Sequence, residues 1–224
     1  MRFLSTSIGR KVVMAFTGLS LVMFACIHLL GNSTIFGWLN GGVNAYAHHL
    51  HSMPWPIIAG FRFVMAALLL VHIIFGISLT MENSSVRPEK YAVSHNVRST
   101  FASRTMIWTG LLLLAFIIYH LLHFTFQIIS PEFAAKSNLI GGIPDVFSMM
   151  TNAFGKAGVT AIYLGGLAVL YLHISHGIQS LLQTFGLTFG RSLNLIFKGS
   201  IAVALVIFLG YITIPLTIFA KILK

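Results

Sequence analysis

The chain has 224 residues, of which 57% are hydrophobic and only 8% are charged. A soluble domain carries about a quarter charged residues, so this composition excludes an ordinary soluble core and indicates a membrane protein. The formal net charge of +10 would also suit a protein that binds nucleic acid. Because the basic residues flank apolar segments, we interpret them as lipid-interface residues and expect no nucleic-acid partner.

Five apolar segments follow one another along the chain, and each is long enough to cross a bilayer, which takes about 20 apolar residues. They are residues 12–31, 57–81, 106–129, 159–185 and 195–219. The expected fold class is all-α: a polytopic membrane protein with five transmembrane helices in a single domain, residues 1–224. The first segment has no small-residue cleavage site, so we expect it to be a retained helix and not a signal peptide. A short surface helix is expected near residues 146–153.

Basic residues are distributed unevenly between the two sides of a five-helix arrangement. One side carries Arg2, Arg10, Lys11, Arg87, Lys90, Arg98, Arg104, Arg191 and Lys198, and the other carries Lys136, Lys156, Lys221 and Lys224. By the positive-inside rule, the first side faces the cytoplasm. We therefore expect a multi-pass protein of the bacterial inner membrane, with the N-terminus in the cytoplasm and the C-terminus outside.

Cys26 is the only cysteine, so the chain can form no internal disulfide. An iron–sulfur cluster takes about four thiolates and is excluded as well. The Cys-x-x-Cys-His motif for covalent haem and the glycine-rich dinucleotide motif are also absent from the sequence. Any flavin or iron–sulfur chemistry is therefore expected on other chains.

Four of the apolar segments contain a histidine, and the sequences around these histidines repeat in pairs. Residues 14–30 (MAFTGLSLVMFACIHLL) and residues 106–122 (MIWTGLLLLAFIIYHLL) share Met, Thr-Gly-Leu and His-Leu-Leu at the same positions. His72 and His173 share the pattern His-Ile-x-x-Gly-Ile. An imidazole in hydrocarbon needs a polar partner, so matched pairs indicate two metal centres. The first four helices would form a haem-binding four-helix bundle, built from two parallel repeats of two helices, with the fifth helix packed outside it.

The depth of each histidine in the membrane indicates which two form a pair. His28 and His120 lie about 15 residues from the inner ends of their helices, whereas His72 and His173 lie about 9 to 12 residues from theirs. We therefore pair His28 with His120 in the outer half, and His72 with His173 nearer the inner side. Two histidines fill both axial positions of a haem iron, which favours electron transfer.

Two further histidines compete for these roles, because His123 and His176 each follow a predicted ligand by three residues. The repeat favours His120 and His173 as the iron ligands. We expect His123 and His176 to support those ligands or to face a quinone.

Four glycines share faces with the predicted ligands. Gly76 and Gly177 stand four residues after their histidines, and Gly18 and Gly110 stand ten residues before theirs. A missing side chain at these positions would let a flat macrocycle approach the backbone. Ordinary helix packing, which also uses small residues, is the alternative interpretation.

Three cations are candidate partners of haem propionates. Arg62 lies near the outer end of the second segment, where a cation needs a partner such as a propionate or a quinone carbonyl. Lys11 and Arg104 occupy equivalent positions of the two repeats at the inner side. They would bind propionates, dock an acidic partner or simply anchor the helices at the interface.

A histidine cluster lies in the link between the first and second segments, at His48, His49 and His51. Because histidine titrates near neutral pH, the cluster is a candidate quinone or proton site. The alternative is an interfacial loop with no such role.

Together these motifs resemble the dihaem cytochrome b subunit of succinate:quinone and fumarate:quinol oxidoreductases, in the type with one five-helix membrane subunit. The matching elements are Ile-His28-Leu, Val-His72-x-x-x-Gly, Tyr-His120-Leu and Leu-His173-x-x-x-Gly, in this order. The resemblance implies that His72 and His173 hold the proximal haem b, facing an iron–sulfur subunit. It implies that His28 and His120 hold the distal haem b.

The resemblance also implies an enzyme in which this chain is the quinone-reactive subunit. A flavoprotein subunit with FAD would interconvert fumarate and succinate in the cytoplasm, and this chain would exchange electrons with menaquinone near the outer side. The complex could pair as a dimer. The carboxylate that the family uses near its second helix is not obvious here, where the link carries His48, His49 and His51 instead.

Two other functions compete with this one. A cytochrome b subunit of a hydrogenase or formate dehydrogenase would share the buried histidine pairs and would differ in its partner chains. A haem-free proton-conducting transporter could relay protons through buried histidines, but it would leave the repeated His/Gly spacing unexplained.

Overall fold

The computed structural model describes residues 2–85, 100–134, 139–140, 143–188 and 192–223. Several basic residues that the sequence analysis assigned to one side of the membrane lie outside the described residues, namely Arg87, Lys90, Arg98, Lys136, Arg191 and Lys224.

Helices form nearly all of the described chain. In chain order they are α1 (Arg2–Ser5), α2 (Ser7–Ser33), α3 (Gly42–Ser52), α4 (Trp55–Ser85), α5 (Phe101–Arg104), α6 (Met106–His120), α7 (Val146–Phe154), α8 (Ala157–Thr184) and α9 (Ser192–Phe219). The connections contain 3₁₀ turns at Thr34–Phe36 and Pro131–Phe133, a π-helical turn at Leu121–Thr125 and a short hairpin of β1 (Leu139–Ile140) and β2 (Ile143–Pro144). The hairpin is antiparallel and places Leu139 opposite Pro144.

Five of these helices are long and apolar enough to cross a membrane, which confirms the predicted all-α fold with five transmembrane helices. The predicted short surface helix is also present, as α7.

The third segment is shorter than predicted. Its π-helical turn ends at Thr125, and Gln127 adopts a left-handed backbone with φ of 55°, so no helix continues to residue 129. The link between α2 and α4 also contains α3, which the sequence did not predict.

Four of the five long helices form a ring, and the fifth lies outside it. The neighbours around the ring are α2 with α4, α4 with α6, α6 with α8, and α8 with α2. The fifth helix, α9, packs mainly on α8 and also on α2. This order places α2 diagonally opposite α6 and α4 diagonally opposite α8.

Two apolar clusters hold the helices together. The larger cluster lies where α3 and α7 meet the bundle, which we call the α3–α7 end, and consists of Ile35, Val43, Met150, Phe154, Tyr163, Ile214 and Ile218. The smaller cluster joins α8 to α9 through Ile174, Ala204 and Ile207. A hydrogen bond of 2.7 Å from the Tyr211 hydroxyl to the Ala25 carbonyl also fastens α9 to α2. Most of the surface of α4 stays exposed, as expected of a helix that faces lipid or a partner.

Polar contacts fix both ends of the bundle. At the amino-terminal end, Arg10 of α2 forms an ion pair with Glu82 of α4. At the α3–α7 end, the buried Asp145 carboxylate caps α7 by accepting a 3.0 Å hydrogen bond from the Ser148 N–H, and it accepts another from the Asn44 amide. Burial raises the pKa of Asp145, but these hydrogen bonds outweigh it and hold the pKa below its usual range.

Candidate functional site

The ring of helices brings the four predicted histidines together as two pairs. The ring centres of His28 and His120 are 5.8 Å apart, and those of His72 and His173 are 6.3 Å apart. Each pair joins diagonally opposite helices, α2 with α6 and α4 with α8. Two metal–imidazole bonds of about 2.0 Å, together with the two ring radii, give a separation of about 6 Å, so both pairs have the spacing of imidazoles that share one metal ion.

The two pairs lie at different levels of the bundle. On α2, Thr17 contacts the His72 ring, and His28 lies 11 residues further along the helix. On α6, Thr109 contacts the His173 ring and His120 again follows 11 residues later. Eleven helical residues rise about 16 Å, so the four histidines form two separate pairs and not one cluster.

A threonine orients each histidine of the pair nearer the amino-terminal end. The Thr17 Oγ1 lies 3.2 Å from the His72 Nδ1, and the Thr109 Oγ1 lies 3.2 Å from the His173 Nδ1. Each hydroxyl donates its hydrogen to a carbonyl one turn back in its own helix, so its oxygen accepts from the imidazole Nδ1–H. This tautomer leaves the Nε2 of both rings unprotonated and able to bind a metal.

A glycine beside each threonine makes room for the same rings. A Cβ on Gly18 would lie 3.2 Å from the His72 Cε1, and a Cβ on Gly110 would lie 3.3 Å from the His173 Cε1. The repeated Thr-Gly dipeptide therefore has a structural meaning: the threonine orients the imidazole of the neighbouring helix and the glycine lets it approach.

The other two predicted glycines face less crowded space. Within the described part of the chain, no atom lies within 4 Å of a Cβ built on Gly76, and only the Met106 Cε, at 3.8 Å, approaches one built on Gly177. Space at both positions is compatible with a macrocycle beside the histidines, and haem packing by the four glycines stays a prediction.

The second pair has a different polar environment. The His120 Nδ1 lies 3.3 Å from the Tyr163 hydroxyl, and the same hydroxyl lies 3.2 Å from the Nδ1 of His123. Phe24 stacks on His28, with 5.4 Å between the ring centres. Tyr163 therefore connects the predicted ligand His120 to the buried His123, which the repeat had set aside as a ligand.

The remaining candidates do not converge on either pair. Arg62 and Lys11 are exposed, and so is Arg104. Their roles as propionate partners stay predictions.

The histidines of α3 are also exposed, at His48, His49 and His51. The His51 Nδ1 contacts the Ala47 carbonyl at 2.7 Å within the same helix. The structure places these three side chains on the surface of α3 and not in a shared buried site, and their role as a quinone or proton site stays a prediction.

The donor set of the two pairs fits haem. Across the residues that the structure describes, no three or more His, Cys, Asp or Glu side chains gather around one point, and each pair offers two imidazole donors. A haem would supply the remaining donors to its iron, and the two imidazoles of a pair would hold it. The partly buried rings and the fixed Nδ1 hydrogen bonds agree with that arrangement.

Sequence reasoning overlooked three residues that the structure places at the pairs. Thr17 and Thr109 belong to the repeat and were used only to align it, although their identical offset from His28 and His120 was a usable signal. Tyr163 is one tyrosine within an apolar helix, and nothing local in the sequence distinguishes it.

A comparison with protein-family models gives an independent result. Residues 82–211, more than half of the 224-residue chain, match the model of the succinate dehydrogenase/fumarate reductase transmembrane subunit. The matched stretch includes α6 and α8, which carry His120 and His173. No curated protein and no solved structure matched the chain. The chain belongs to the family of transmembrane subunits of succinate dehydrogenase and fumarate reductase.

Proposed function

We propose that this chain is the dihaem anchor of a membrane-bound succinate dehydrogenase or fumarate reductase and carries electrons between menaquinone and an iron–sulfur subunit. Two diagonal imidazole pairs at separate levels of one bundle are the observation that carries the proposal. Family membership supports it, because these subunits are cytochrome b-type proteins that generally bind haem.

Each pair would hold one haem b, with His72 and His173 as the axial ligands of the inner one and His28 and His120 as those of the outer one. A haem held by two histidines has no open coordination position and serves as a one-electron carrier. The protein fixes the imidazole tautomers through Thr17 and Thr109 and surrounds the pairs with apolar side chains.

With haem held at both levels, the two histidine pairs would support an electron path across the bilayer. A menaquinol oxidised at the outer side gives up two electrons and two protons and becomes menaquinone. With haem bound, His28 and His120 would hold the first electron carrier and His72 and His173 the second, from which the electrons would leave through the iron–sulfur subunit. A flavoprotein subunit with FAD takes them up with two protons to reduce fumarate to succinate, or runs the reaction in reverse.

The amino-terminal end of the bundle is the docking face for these subunits. The exposed Lys11 and Arg104 lie there, and the Arg10–Glu82 ion pair fixes the ends of α2 and α4 beside them. The basic residues support a location of this end in the cytoplasm, in a bacterial inner membrane, by the positive-inside rule. The α3–α7 end and the C-terminus would then lie outside.

The test is purification of the complex from native membranes by a tag on this chain. We expect a FAD-containing subunit and an iron–sulfur subunit to co-purify, and the haems to be reduced by 2,3-dimethyl-1,4-naphthoquinol and reoxidised by fumarate. The His72→Ala variant should keep quinol reduction of the outer haem and lose reoxidation by fumarate. Co-purification of a nickel or molybdenum subunit in place of the flavoprotein would overturn the proposal in favour of a hydrogenase or formate dehydrogenase anchor.

A further inference from the structure

A tyrosine on α8 lies between two histidines that are close in sequence, next to the outer pair. The Tyr163 hydroxyl lies 3.3 Å from the His120 Nδ1 and 3.2 Å from the His123 Nδ1. Both Tyr163 and His123 are buried, with 5% and 4% of their surfaces exposed. Because buried polar groups are nearly always paired inside the protein, these atoms depend on one another for their hydrogen bonds.

Aromatic packing holds the tyrosine in this position. The Tyr163 ring lies edge-on to Phe154 of α7, with 4.9 Å between the ring centres, and to Phe116 of α6, at 5.3 Å. Gly166, almost one turn further along α8, leaves the space that the Phe116 ring fills. A hydroxyl on a ring that packs against two other helices has little freedom to reach different partners.

A π-helical turn carries the second histidine. The turn begins at Leu121, directly after His120, and ends at Thr125. His123 lies within it, and its ring stacks on Phe124 with 4.3 Å between the ring centres. Turns of this kind are rare and often occur at functional sites. Here the turn places a second imidazole beside the hydroxyl that already contacts the predicted ligand.

The single hydrogen of the hydroxyl fixes the direction of both hydrogen bonds. A neutral imidazole that binds iron through Nε2 carries its hydrogen on Nδ1, so His120 donates to the Tyr163 oxygen. The Tyr163 hydrogen is then left for the His123 Nδ1, which accepts it. The reverse order is excluded, because the Nδ1 of such an imidazole has no lone pair to accept with.

We propose that Tyr163 and His123 are positioning residues that raise the electron-donor strength of His120, an inference that rests on the proposed function above. His120 donates to Tyr163 and Tyr163 donates to His123, so each hydrogen bond polarises the next. A ligand with a stronger acceptor at its Nδ1–H is more basic, which favours ferric iron and lowers the reduction potential. At the inner pair, by contrast, the hydroxyls of Thr17 and Thr109 donate to backbone carbonyls of their own helices.

The experiment measures both haem potentials in the intact complex with Tyr163→Phe and with a matched control, Tyr171→Phe. Tyr171 lies on the same helix and packs against Phe208 of α9, with 5.6 Å between the ring centres. Both variants keep the ring and remove one hydroxyl. The net value of a hydrogen bond corresponds to at most about tenfold in an equilibrium, or about 59 mV for one electron. We expect Tyr163→Phe to raise the outer potential by up to this amount and to leave the inner potential unchanged, and Tyr171→Phe to change neither.

A double variant separates this chain of hydrogen bonds from a simple packing role. His123→Leu removes the acceptor of the Tyr163 hydrogen and keeps an apolar side chain in its place, so it should raise the outer potential by less than Tyr163→Phe. Because His123 acts on His120 only through the tyrosine, the double variant should have the same outer potential as Tyr163→Phe alone. Two independent packing defects would instead add their effects.

The outer haem is identified as the spectral component that His28→Ala removes. An unchanged outer potential in a Tyr163→Phe complex with both haems would overturn the inference, and so would an equal shift of both haems or additive shifts in the double variant. If Tyr163→Phe loses the outer haem, His123→Leu decides: a raised outer potential supports the inference and an unchanged one overturns it. A folded wild-type complex without haem would instead overturn the proposed function.

Discussion

The threonine that orients the inner histidine gives a quantitative prediction. Thr109→Val replaces a hydroxyl by a methyl group of nearly the same shape. It leaves the Nδ1–H of His173 without the acceptor that now lies 3.2 Å away. Since a Gly110 Cβ would already lie 3.3 Å from this ring, the imidazole has little room to seek another partner.

The expected effect is a rise in the reduction potential of the inner haem. A hydrogen bond from Nδ1–H makes the imidazole a stronger electron donor, which stabilises ferric more than ferrous iron. Its net value is about 0.5 to 1.5 kcal/mol. Because the hydrogen bond is present in both oxidation states, only its difference in strength between them shifts the potential. For a one-electron couple, in which a tenfold change corresponds to about 59 mV, the potential should rise by no more than about 60 mV. Adding Thr17→Val should raise it further, since His72 loses the same contact.

The assay is a potentiometric titration of the haem absorbance in the purified complex. Thr109→Ser, which keeps the hydroxyl, should titrate like the wild type. Thr80→Val is the matched control, because Thr80 is exposed on α4 and, among the described residues, its hydroxyl bonds to the Gly76 carbonyl of the same helix at 2.8 Å. An unchanged potential in Thr109→Val, or an equal shift of both haems, would refute the reasoning.

Three further predictions follow from other contacts. His120→Ala should lose the outer haem whereas His123→Ala keeps both, and the reverse result in haem spectra would contradict the ligand assignment. Gly166→Ala should destabilise the protein by about 1 to 3 kcal/mol in thermal unfolding, because the new Cβ would overlap the Phe116 ring. An unchanged unfolding midpoint would contradict the close contact between α6 and α8 at this position. Asp145→Ala should cost about 1 kcal/mol at pH 7 as a lost helix cap. The pKa of Asp145 is lowered in the folded protein. Its carboxylate therefore stabilises the fold at pH values above the unfolded-state pKa of about 3.9, and this stabilisation is lost as the pH falls through the folded-state pKa. The stabilities of the wild type and Asp145→Ala should thus converge in acid.

The sequence predicted the five spans and the two histidine pairs because both depend on regular spacing. Apolar length identifies a spanning helix, and helical rise converts sequence distance into depth. The repeat then matched His28 with His120. These inferences needed no knowledge of which helices are neighbours.

Features that depend on which helices lie next to each other in space could not be predicted. The diagonal placement of the pairs follows from the order of helices around the ring, which the sequence does not specify. Thr17 was visible in the repeat, but its role requires α4 to bring His72 beside it. Tyr163 reaches two histidines 40 and 43 residues away in the chain.

Local structure was mispredicted where the backbone departs from regular geometry. The apolar run after His120 continues to Ile129 in the sequence, but a π-helical turn and the left-handed Gln127 end the helix earlier. The link that contains α3 is rich in glycine, which disfavours helix by propensity, and packing of Val43 against the larger cluster overrides that preference.

The most direct test of the account is the haem content of the purified complex, measured as the pyridine haemochrome per copy of this chain. Two opposed imidazole pairs at two levels predict two haems of the b type for each chain. A folded complex that carries none, or only one, when made with ample haem supply would contradict it.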